Sequence, residues 1–194
     1  MKKFLIVVLC ALMFLPPLVA SAQDNKESEA KEPATKLEAF LAKKGKLIVK
    51  DSYRLGEVTG RYGSKIEFSA LVIYEPGQES QRIRGLKIEV TEGGKYERSN
   101  ISFLDLEEIE SLSKALEYMS SLSVKWKDIE KDYTEVVFST KDDFDIGFYQ
   151  SGIKQGVFSS SGYIGKATCF FSSMQDLSSI KTIADEGLKL LNKK

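Results

Sequence analysis

"FLDLEEIESLSKALEYM", Phe103 to Met119, decides how this chain is read. The apolar pair Phe103-Leu104 runs straight into Asp105, Glu107, Glu108 and Glu110, four carboxylates within six residues. An apolar stripe follows at helical spacing: Ile109, Leu112, Ala115, Leu116, Met119 and Leu122. Such an acid cluster reads either as a site for a metal or a proton, or as the opening of a helix. Asp105 stands where an N-cap belongs, and Glu108 stands three residues on, the spacing of a capping box. Glu107 and Glu110 then fall in the first turn, where the helix dipole favours negative charge by about 0.3–1 kcal/mol each. The expectation is boundary chemistry: a strand ends here and a helix begins.

The same order recurs later in the chain. "FSSMQDLSSIKTIADEG", Phe171 to Gly187, sets Ser173 and Asp176 at the two capping positions. An apolar stripe of Leu177, Ile180, Ile183, Ala184, Leu188 and Leu191 follows, giving a helix from about Asp176 to Asn192. An offset of 68 superimposes Ile101 on Cys169, Phe103 on Phe171, Ile109 on Leu177, Leu112 on Ile180 and Leu122 on Leu190. The second copy keeps the caps and drops the extra charge, which favours a structural role for the first cluster.

Each helix is preceded by segments of period two. "LIVKDSYRLGEV", "SKIEFSALVIYE", "QRIRGLKIEVTE" and "RSNISFLD" lead into the first helix. Turn residues separate them at Gly60 to Ser64, Glu75-Pro76-Gly77 and Gly93-Gly94. After a linker containing Trp126, "TEVVFST", "FDIGFYQ", "QGVFSSSGYI" and "ATCFFSS" lead into the second. The fold class expected is α+β: antiparallel strands in two sets of about four, each followed by a packed α-helix. The two stretches, 46–123 and 134–192, fit an internal β4α duplication, although no exact residue motif recurs.

Outward from this block lie a short helix and a leader. "TKLE", Thr35 to Glu38, is a second capping box. Leu37, Phe40 and Leu41 share a face behind it, with Lys43 and Lys44 in the last turn and Gly45 as terminator. Gln23 to Ala34 is charged and lacks a large apolar residue, as a disordered tether does. Residues 1–22 read as an export signal: Lys2 and Lys3, an apolar stretch from Phe4 to Leu15, then Ala20-Ser21-Ala22 before the cleavage point. The exported domain then spans 35–194, in a periplasm or outside the cell. No later stretch is apolar and long enough to span a bilayer.

Composition narrows the chemistry. Histidine is absent, which removes Ser–His–Asp and Cys–His machinery and nearly every zinc or copper site. Cys10 leaves with the signal, so Cys169 stands alone without an internal disulfide partner. Its match to Ile101 marks it as a buried thiol. With Lys2 and Lys3 gone, 26 of the 28 basic side chains face 28 acidic ones. That balance disfavours nucleic acid as a partner.

Weaker signals are read as structure. "KDDFDIG", Lys141 to Gly147, echoes the start of a calcium loop but opens an apolar strand instead of continuing to a distant glutamate. "FSSSGY", Phe158 to Tyr163, lacks any serine-nucleophile pattern and reads as an exposed strand or turn of small polar residues. Asn100-Ile101-Ser102 has the form of a glycosylation sequon on a strand. Phe144, Phe148, Tyr149, Phe158, Tyr163, Phe170 and Phe171 crowd the second half. Adjacent aromatics, Phe148-Tyr149 and Phe170-Phe171, must point to opposite sheet faces. One of each pair fills the core and the other meets a partner or solvent, beside Lys154, Lys166 and Arg84. Four strands and a helix, twice, is similar to the arrangement of the Pur/Whirly type of nucleic-acid-binding repeat. That likeness lies in element order alone.

The sequence assigns no catalytic, cofactor-binding or metal-ligating residue, and no cofactor. The function expected is a non-catalytic binding or protein-interaction module taking a cell-envelope protein or a small ligand. The alternatives are a hydrolase using carboxylates or a Ser–Lys pair, and a single-stranded nucleic-acid binder on an aromatic sheet face.

Overall fold

The alternating segments fold as two four-stranded antiparallel meanders. Strands β1 (Val49–Thr59), β2 (Lys65–Tyr74), β3 (Ile83–Glu92) and β4 (Arg98–Asp105) form the first sheet. Helix α2 (Leu106–Trp126) follows without an intervening residue. Strands β5 (Lys131–Ser139), β6 (Phe144–Gly152), β7 (Lys154–Ser161) and β8 (Ala167–Phe170) form the second, before helix α3 (Gln175–Leu191). Helix α1 (Lys36–Leu41) precedes both. The computed structural model describes residues 32–95 and 97–194, and residues 32–194 form one compact unit. The export signal and all but the end of the tether lie outside the described residues.

Boundaries differ from expectation where packing decides them. The first helix stops at Leu41, short of Gly45: Leu37 and Phe40 are buried and Leu41 partly so, and the exposed Lys43 and Lys44 beyond have no apolar side chain to bury. The second helix runs on to Trp126, which the sequence pattern placed in a linker. Its indole meets the Phe148 ring at 5.8 Å, so a tertiary contact holds the last turn. Strand β5 starts at Lys131, three residues before the apolar run.

Alternation fills one inner face per sheet. Ile66, Phe68, Ala70 and Val72 of β2 join Leu86, Ile88 and Val90 of β3 and Leu104 of β4 in one core. Phe144, Ile146 and Phe148 of β6, Val157 of β7 and Ala167 and Cys169 of β8 belong to the same core. Ile109, Leu112, Leu116 and Met119 of α2, and Leu177, Ile180, Ala184 and Leu191 of α3, complete it. Each of these side chains contributes about 1.5–3 kcal/mol by leaving water, alanines less.

The helices are not simply laid on the sheets that precede them. Helix α3 packs against α2 and against β1, β2 and β3 of the first sheet. A Cβ on Gly187 would lie 2.8 Å from both Leu55 and Leu86, so the bare glycine lets α3 settle onto that sheet. Gly56, beside a break in the β1–β2 register, faces Ile183 of the same helix. Helix α2 reaches the second sheet at its far end. There Gln150 donates to the Trp126 carbonyl at 3.2 Å, and Gln155 donates to Ser123 O at 2.9 Å. Each half therefore supplies cover for the other.

The offset of 68 holds for the helices and fails for the strands. Buried Ile109, Leu112 and Leu116 match buried Leu177, Ile180 and Ala184, and buried Met119 matches buried Gly187. Ile101, however, is 47% exposed while Cys169 is fully buried. A one-residue slip moves a strand side chain to the opposite face. The thiol is buried as expected, but Ile101 was the wrong guide to it.

Substituting Gly187 by valine would force β-branched bulk between α3 and the first sheet. Urea denaturation should show a loss of about 1–3 kcal/mol, and an unchanged midpoint would contradict this packing.

Candidate functional site

The four carboxylates do not converge on one point: three are engaged in different contacts and the fourth faces solvent. Asp105 caps α2 in a capping box with Glu108, whose carboxylate accepts the Asp105 amide at 3.4 Å. The Asp105 carboxylate also accepts the amide of Lys36, at 3.0 and 3.2 Å, so one side chain serves the starts of α1 and α2. Glu108 reaches sideways to accept the Lys141 amide at 2.9 Å. Glu107 pairs with Lys36 Nζ at 2.7 Å, which holds its carboxyl below the usual glutamate range. Glu110 is exposed. In α3 the cap persists in reduced form: Asp176 accepts the Ser173 amide at 2.9 Å, and Ser173 Oγ accepts from Gln175 at 3.1 Å.

The other polar motifs are likewise engaged. Asp142 accepts the outward amide of Phe103 on edge strand β4 at 2.8 Å, tying the β5–β6 turn to the first sheet. Asp143 adopts φ 51°, as a tight turn requires, and Asp145 pairs with Lys166 at 2.8 Å. The Asn100 amide donates to the carbonyls of Ser161 and Gly165. The serines of β7 correct the sequence reading: they lie on a strand, but Ser159 and Ser161 are buried on its inner face. Burial pushes the Cys169 thiol above its usual range, against a hydrogen bond from Ser64. Among the described residues no three histidine, cysteine, aspartate or glutamate side chains form a metal-binding group.

The outer face of the second sheet is different. The register pairs Glu135 with Tyr149, Tyr149 with Gly156, Gly147 with Phe158 and Phe158 with Phe170, which puts all of them on one face. Tyr133, Glu135, Tyr149, Phe158, Ser160, Thr168 and Phe170 line a shallow depression of about 390 Å³ there. Tyr133 and Tyr149 stack with centroids 6.3 Å apart and ring planes 24° from parallel. Tyr133 is 60% exposed and Phe170 47%.

Glycine shapes this shelf. A Cβ on Gly156 would lie 2.5 Å from the Tyr149 ring, so that ring lies flat across the strand. Polar groups are interleaved with the rings. The Tyr133 hydroxyl donates to Glu135, whose carboxylate holds the phenol above its usual range. Burial pushes the Asp145 carboxyl up, but Lys166 with the Ser139 and Ser160 hydroxyls outweighs it and holds the group below the usual aspartate range.

Of the aromatics expected to divide between faces, Phe148 and Phe171 are buried while Tyr149 and Phe170 lie outside. Tyr163 falls in the turn after β7 and not on a strand. Arg84 is elsewhere, donating to the Leu191 carbonyl at 3.0 Å. Tyr133 and Glu135 were not singled out from the sequence. Continuing the alternation of "TEVVFST" from Glu135 to the residue just before the stretch would have found Tyr133.

No protein-family model, curated protein or solved structure matches this chain.

Asp105→Ala should cost about 1–3 kcal/mol in chemical denaturation, because amides at the starts of two helices, that of Lys36 partly buried, lose their acceptor. Glu110→Ala should stay within about 0.5 kcal/mol. Equal effects from the two would contradict the division of tasks.

Proposed function

We propose that this chain is an exported, non-catalytic binding module whose ligand or partner sits on the outer face of the second sheet. The observation that carries the reading is the contrast between the two outer faces. On the first sheet, Leu71 and Ile73 are covered by Leu37 and Phe40 of α1. Beyond them the surface is tiled with ion pairs: Arg54 with Glu57 and Glu67, Lys65 with Glu67, and Lys87 with Glu89. Charged tiling of this kind keeps a sheet face in water. The second sheet instead presents four aromatic rings around a depression, and no described element covers them. Stacked, partly exposed rings held by a rigid sheet are a low-entropy contact surface.

Side-chain chemistry supports binding over turnover. The chain lacks histidine, and among the described residues the shifted carboxylates are all held ionised, Glu67, Glu107, Asp145 and Asp185 each by a lysine and Glu79 by backbone amides. Paired carboxylates held ionised are poor proton donors and poorly poised bases. The export part of the reading rests on the leader-like composition of residues 1–22.

The test is amide NMR of the labelled chain titrated with fractionated bacterial envelope. Shifts should cluster on β5 to β8, and Tyr149→Ala should weaken the response about tenfold. Shifts confined to other surfaces, or conversion of a component of the fraction, would contradict the proposal.

A further inference from the structure

We infer that the ligand of the aromatic shelf is an uncharged glycan segment, an inference that rests on the site proposed above and specifies its chemistry. A sugar ring presents an apolar face of C–H bonds and an equator of hydroxyls. The faces of Tyr149, Tyr133, Phe158 and Phe170 carry the negative side of the aromatic quadrupole, which attracts the positive ends of C–H bonds. Hydroxyls at the sugar's edge need acceptors and donors within the same plane. Glu135 and Thr168 supply them between the rings, while the Ser160 hydroxyl, which donates to Asp145, lies beneath. Glu135 forms no salt bridge with a described lysine or arginine, and the Tyr133 hydroxyl bonds only one of its oxygens, so the other can accept a sugar hydroxyl.

Charge separates this ligand from the other flat ones. A strand of nucleic acid needs cations along its phosphates. The ions on this face are Glu135, Asp145, Lys154 and Lys166; Lys166 is already paired with Asp145 at 2.8 Å, and Lys154, at the start of β7, is a single cation and not a track along a phosphate backbone. A second copy of the chain would prefer a dry face, and here hydroxyls and a carboxylate break up the rings. Adjacent strands lie ~4.8 Å apart, so the shelf extends across roughly 14 Å. That is the scale of a short oligosaccharide lying flat, and the shallow depression suits a chain that enters and leaves from the side.

The experiment is NMR titration of the full chain with chitotetraose, cellotetraose and maltotetraose, because a shallow shelf gives weak binding. Oligo(dT) and a proline-rich decapeptide serve as competing classes, and sedimentation reports self-association. At least one tetrasaccharide should shift β5 to β8. Tyr149→Ala and Phe170→Ala should weaken it about tenfold or more, and Glu135→Gln about threefold through loss of a charged acceptor. Circular dichroism and melting curves on each variant confirm that it is folded. Should the tetrasaccharides fail while oligo(dT), the peptide or a second copy occupies this face, the glycan assignment falls and the site stands. A tetrasaccharide that binds while leaving the shelf unperturbed overturns both the glycan assignment and the site, and binding of no probe at all overturns the glycan assignment.

Discussion

The inner face of the first sheet is sealed by a helix that arrives from the far end of the chain. Helix α3 follows the second sheet in sequence but lies on β1, β2 and β3, and Gly187 permits the approach by offering no side chain to Leu55 and Leu86. In return α2, which follows the first sheet, extends to the second and is held there through Gln150, Gln155 and the Trp126–Phe148 contact. Neither half can bury its own apolar surface alone. The acid cluster at the start of α2 acts in the same direction, since Asp105 fastens α1 and Glu108 fastens the β5–β6 turn.

This mutual cover consumes the inner faces and leaves the outer ones to diverge. Both sheets use the same strand order and the same alternation, yet their outer faces differ in kind. One carries α1 and a lattice of ion pairs. The other carries stacked tyrosines, two phenylalanines and a few hydroxyls over glycine-thinned strands. A surface of that composition is costly to leave in water, and a folded domain that keeps it so is consistent with contact elsewhere.

Much of this was legible in the residues. Turn glycines, strand alternation and the two capping patterns specify the element order, because all three are local effects. Adjacent aromatics announced that one ring of each pair lies outside, since successive side chains of a strand face opposite ways. What local pattern could not convey was which sheet a helix covers: the stripe of α3 is equally apolar against either. Nor could it place Ile101, where aligning strands by the helix offset reversed the faces. Trp126 and Tyr133 were missed at element ends, where tertiary packing extends a helix or strand beyond its own periodicity.

Mutual cover between the two halves is the account's central claim, and separating the halves tests it most directly. Residues 32–129 and 130–194, prepared apart and then mixed, should each lack a cooperative melting transition and regain one together. A cooperative transition in either half alone would contradict the account.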